Sequence, residues 1–77
     1  MDRATIISYL QAAEDHMAIT EQQIANQRGL ISSLRRGGHD TSNASAELRV
    51  MEQTYMQYIG DRDRLRVELA ALDDLAQ

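Results

Sequence analysis

The chain has 77 residues, no cysteine and a formal net charge of −4. That length amounts to one small domain able to bury only about 60% of its unfolded surface, and without cysteine there is no disulfide, thiolate metal site, redox motif or cysteine nucleophile. The acidic balance argues against general affinity for nucleic acid or anionic membrane.

The N-terminal stretch "MDRATIISYLQAAEDH" lacks a basic region followed by a long apolar run, so neither a signal peptide nor a membrane span is expected, and the cytoplasm is the default location. From there, apolar or small residues recur at Ile6, Leu10, Ala13, Met17, Ile24, Ile31 and Leu34. The gaps follow the alternating four and three of a heptad seam, with Thr20 and Gln27 in the two missing places. This pattern predicts a first helix over residues 3–36 with two polar layers.

The stretch "RRGGHDTSNAS" follows. Arg35 and Arg36 suit the last turn of a helix, where cations meet the negative end of its dipole, and Gly37 or Gly38 supplies the left-handed residue that ends it. Asp40 or Thr41 then caps a second helix. A turn at 37–40 forces the two helices to be antiparallel neighbours.

Beyond the turn the seam resumes at Leu48, Met51, Tyr55, Tyr58, Leu65, Leu69, Leu72 and Ala76, interrupted only by Arg62. No proline breaks either run, and good helix formers fill most other positions. The second helix is expected over 41–75, so residues 1–77 read as a single all-α helical-hairpin domain, an antiparallel coiled-coil-like pair. Two registers bring apolar residues face to face. One sets Ile31 against Ala44, Ile24 against Met51, Met17 against Tyr58 and Leu10 against Leu65. The other sets Leu34 against Leu48 and Leu10 against Leu72. The first is preferred because its apex falls within the glycines.

Ile7, Ile19, Leu30, Val50, Met56, Ile59, Val67 and Leu75 lie outside the seam. That is more apolar surface than a lone hairpin comfortably leaves wet. Two hairpins pairing into a twofold four-helix bundle would cover it, so a homodimer is expected.

Candidate chemical groups reduce to structural ones on their spacing. His16 follows Glu14 and Asp15 but has Ala13 and Ala12 three and four residues before it, so no Glu-x-x-His exists and the di-iron bundle motif is excluded. In "DRDRL" the spacing supports helix-surface pairs of Asp61 with Arg64, Asp63 with Arg66 and Arg64 with Glu68. Arg62, Thr20 and Gln27 are polar seam residues of the kind that fix register or partner number. Arg62 either sends its guanidinium to solvent near a carboxylate such as Glu14 or forms a buried pair. Tyr55 and Tyr58 read as core or interface aromatics. No catalytic constellation, metal site or cofactor site is found.

Charge is unevenly spread. Residues 28–49 carry +2 and the remainder −6, and every cation is arginine. Arg35, Arg36 and His39 beside the amides of a helix start hold the ingredients of an anion or acidic-partner contact, set against plain helix capping.

"GHDT" (Gly38 to Thr41), "QQIANQRGLISSL" and "DRDRLRVEL" resemble a set of small uncharacterised alphaproteobacterial proteins over most of residues 10–69. The resemblance implies an intact hairpin unit and no known reaction. A weaker likeness is to the sporulation-type aspartyl-phosphate phosphatases, short helical hairpins whose active helix carries Ser-x-x-x-Asp. In "SAELR" Arg49 stands four residues after Ser45, where that acid would be. The leading expectation is a non-enzymatic helical protein–protein interaction or adaptor module. The alternatives are a regulatory hairpin acting on a phosphorylated signalling protein and a nucleic-acid-associated factor using the arginine-rich tip. For the latter, no aromatic interleaves those arginines for stacking.

Overall fold

A computed structural model describes residues 1–76. It contains two helices, α1 (Arg3–Arg36) and α2 (Ser42–Leu75), folded back on each other as an antiparallel hairpin. Nothing in either sequence interrupts them, and α2 begins one residue later than its spacing suggests. Among the described residues no helix is long and apolar enough to cross a membrane.

The helix ends follow from local chemistry. Asp2 is the N-cap of α1, its carboxylate accepting a bond from the Thr5 amide at 2.8 Å. At the other end the His39 amide donates to the Leu34 carbonyl at 2.9 Å and the Gly38 amide to Arg35 at 3.1 Å. These two bonds form the Schellman motif, which needs a left-handed residue. Gly38, with φ of +74°, is that residue, while Gly37 stays right-handed. Thr41 stands at the N-cap of α2 without a side-chain cap bond. Asp40 takes over: one of its carboxylate oxygens accepts from both the amide and the hydroxyl of Ser42, at 2.9 and 2.7 Å.

Contacts between the helices settle their alignment. Glu21 accepts a hydrogen bond from the Tyr55 hydroxyl, Arg3 pairs with Asp73 at 3.0 Å, and the His16 ring lies 5.0 Å from that of Tyr58. These fit the register with Met17 opposite Tyr58 and Ile24 opposite Met51. They do not fit the alternative with Leu10 opposite Leu72.

The molecule is long and thin, 61 × 15 × 14 Å. Its radius of gyration is 17.6 Å, against about 11–12 Å for a compact domain of this length. Its accessible surface is 5571 Å², whereas a compact chain of this mass would expose roughly 4,700 Å². The excess is the consequence of having a seam and no enclosed core. Along α1 the seam buries Ile6, Ala13, Met17, Thr20, Ile24, Gln27 and Ile31. On α2 only Ala44 and Leu65 are fully buried, and the other seam positions are half-covered.

Candidate functional site

The polar seam residues are accommodated without an orphaned group: among the described residues no buried side-chain nitrogen or oxygen lacks a hydrogen-bond partner. Gln27 reaches across the seam, donating to the Ala44 carbonyl at 2.8 Å and to the Glu47 carboxylate at 3.2 Å. It therefore fastens the C-terminal third of α1 to the first turns of α2. Thr20 is buried opposite Tyr55 in this alignment. Arg62 lies opposite Ala13, the smallest side chain of the α1 seam, which leaves room for an arginine stem. Its guanidinium runs out of the seam to the next residue on its own helix, with Nε and Nη2 at 3.1 and 3.0 Å from Asp63 Oδ1. Asp63, not Glu14, is thus its carboxylate partner. That choice leaves Asp63 without Arg66, and of the three surface pairs suggested by spacing, Asp61 with Arg64 at 3.0 Å forms.

At the turn, Arg35, Arg36 and His39 are all exposed. Arg36 donates to the Ser33 hydroxyl at 3.4 Å, and the His39 ring folds back over Gly37, where an added Cβ would lie 2.8 Å from His39 Cδ2. The start of α2 already holds a negative charge supplied by the chain itself. Hydrogen bonds from the Ser42 side chain and then its amide lower the pKa of Asp40 below the ordinary carboxylate value. Asp2 is lowered in the same way by the Thr5 side chain and amide. Capping accounts for the geometry of this turn.

The chemistry available elsewhere is sparse. No group of three His, Cys, Asp or Glu residues that could hold a metal ion occurs among the described residues. The Tyr55 hydroxyl has a raised pKa because it donates to Glu21, so it stays protonated at neutral pH. Ser45 is half-buried and Arg49, four residues on, is exposed.

What the surface does display is hydrophobe. Five large apolar side chains are buried in the hairpin: Ile6, Met17, Ile24, Ile31 and Leu65. Among the described residues eight are exposed, Met1, Tyr9, Ile19, Leu30, Val50, Met56, Val67 and Leu75, and the other large apolar side chains are half-covered. The candidate docking residues do not form one patch. Ile19, Leu30 and Val50 occupy one flank of the seam; Ile7, Met56 and Ile59 occupy the other, with Ile7 and Ile59 half-covered; Val67 lies on the outer face of α2. Each flank carries a shallow groove. One, of about 350 Å³, is lined by Tyr9, Ala12 and His16 with Asp61 and Arg64. The other, of about 380 Å³, is lined by Glu21, Ala25 and Arg28 with Glu52 and Met56.

The two flanks differ in charge. The second carries Glu14, Glu21, Arg28 and Arg35 on α1. The first follows a second four-three row on α1, Thr5, Tyr9, Ala12, His16, Ile19, Gln23, Asn26, Leu30 and Ser33, with no carboxylate or guanidinium in it. Tyr9, 54% exposed, belongs to this row and escapes a reading that looks only for aliphatic residues off the seam. No protein-family model, curated protein or solved structure matches the chain.

Proposed function

We propose that this chain is a non-enzymatic interaction module that works as a homodimer, two hairpins packing into a four-helix bundle whose remaining surface is offered to a protein partner. The observation that carries this reading is the exposure of eight large apolar side chains among the described residues, against five that the hairpin buries outright. Isolated surface hydrophobes are ordinary. A 61 Å rod with so many of them in rows along its flanks is the form expected of half a bundle.

Mass action provides the test. If the folded unit is a dimer, its melting temperature rises with protein concentration, because dilution favours the dissociated state. Melting followed by circular dichroism over about a hundredfold range of concentration should show that rise. A melting temperature independent of concentration would remove the reading.

A further inference from the structure

We infer that the two copies meet through the uncharged flank of α1, with the helices α1 antiparallel and the twofold axis at Ile19. This rests on the proposed self-association and adds which face is used and in which register.

The argument begins with charge. Interface centres are depleted in charged residues and enriched in aromatic and large apolar ones. The row from Thr5 to Ser33 has that composition, and three of the exposed large hydrophobes, Tyr9, Ile19 and Leu30, are on it. Rows of four-three spacing interlock when run antiparallel. With the axis at Ile19, that residue meets itself, Tyr9 meets Leu30 of the second copy, and Ala12 meets Asn26. His16 then lies opposite Gln23, a pair able to hydrogen-bond.

The neighbouring row of α2 supplies an independent check. The same axis sets Gln57 opposite Thr54 of the second copy, Val50 opposite its Asp61, already paired by Arg64 of that copy, and Arg64 opposite its Glu47, opposite charges at the rim. Sliding one helical turn in one direction would bring Glu47 against Asp61 of the second copy. One turn in the other direction would bring it against Glu68. A parallel arrangement places α1 against α2 of the second copy and turns both Tyr9 and Leu30 toward glutamates, Glu68 and Glu47. Ile19 at the axis is therefore selected both by the apolar pairs on α1 and by the charge pairs on α2.

The area suffices. The row is about 42 Å long at 1.5 Å per residue, and the hairpin is 15 Å wide. Together these give roughly 600 Å² per copy and about 1,200 Å² in all, the lower edge of stable specific interfaces.

The absence of cysteine makes the test clean. Single-cysteine variants Ile19→Cys and Met56→Cys, both at exposed positions, are treated with a short bismaleimide after their helicity is checked. Ile19→Cys should form a covalent dimer and Met56→Cys, on the opposite flank, should not. A mixture of Tyr9→Cys and Leu30→Cys should cross-link to each other, while Tyr9→Cys alone stays single. Arg64→Glu should weaken the dimer about tenfold, and Glu47→Gln in the same chain, which removes the new repulsion while keeping an acceptor for Gln27, should recover most of the loss. A chain that sediments as a dimer but cross-links through Met56→Cys and not Ile19→Cys would overturn this inference while leaving self-association standing. Failure of Glu47→Gln to recover the loss would overturn the register, and a monomer would overturn both.

Discussion

Gln27 is the side chain whose replacement gives the most direct reading of how the hairpin is held in register. In the folded chain it is 8% exposed and makes two bonds across the seam, to the Ala44 carbonyl and the Glu47 carboxylate. Gln27→Ala removes both. At about 1 kcal/mol net for each bond, and about 0.8 kcal/mol for the one buried methylene that alanine lacks, the cost is about 3 kcal/mol. Gln27→Leu removes the same bonds but restores apolar volume. The Ala44 carbonyl keeps its place in the α2 ladder and Glu47 returns to water, so this change should fall within about 1 kcal/mol of wild type. Urea unfolding at one fixed protein concentration measures both, with equal m values required for the comparison. The leucine variant should also lose discrimination among registers, because no polar layer then penalises a slipped pairing. If Gln27→Ala costs less than about 0.5 kcal/mol, below a single net hydrogen bond, the crossing bonds hold nothing. If leucine costs as much as alanine, the bonds rather than the packing set the energy.

Three further outcomes follow from the same geometry. Arg62→Leu completes the apolar stripe opposite Ala13 and removes a guanidinium satisfied only by its neighbour Asp63; thermal unfolding should show a higher melting temperature, and light scattering a broader range of oligomers. Gly38→Ala should cost about 1 kcal/mol in denaturant unfolding because φ is +74° there; Gly37→Ala should cost less, since only the movable His39 ring stands in the way. The folded-state pKa values of Asp2 and Asp40 are lowered, so their contribution is present above the unfolded carboxylate pKa of about 4 and is lost as pH falls through the lower folded values. In acid titrations of stability, Asp2→Asn with Asp40→Asn, which keeps capping side chains, should flatten the decline below about pH 4; an unchanged slope would show that other carboxylates govern it.

The two helices and their alignment are legible in the sequence because one physical rule, apolar residues every three or four positions, operates over both halves without a proline to break it. The turn is legible for the same reason: Gly-Gly after two arginines leaves few ways to end a helix. What spacing does not reveal is which of several adjacent partners a flexible side chain takes. Arg62 could reach a carboxylate on either helix, and the bond to Asp63 on its own helix forms because it needs no bridge across the seam. Asp40 rather than Thr41 serves the start of α2 because the tight turn brings its carboxylate onto Ser42. The flanks are hidden differently. Pooling every off-seam hydrophobe obscures that, Val67 on the outer face apart, they fall on two flanks, and that only one of those flanks has a row on α1 free of charge.

The most direct test of self-association is sedimentation equilibrium of the wild-type chain at tens of micromolar. The proposed bundle predicts a single species of twice the chain mass, shifting toward one chain mass on dilution. A species of one chain mass throughout, still fully helical and cooperatively folded, would contradict it.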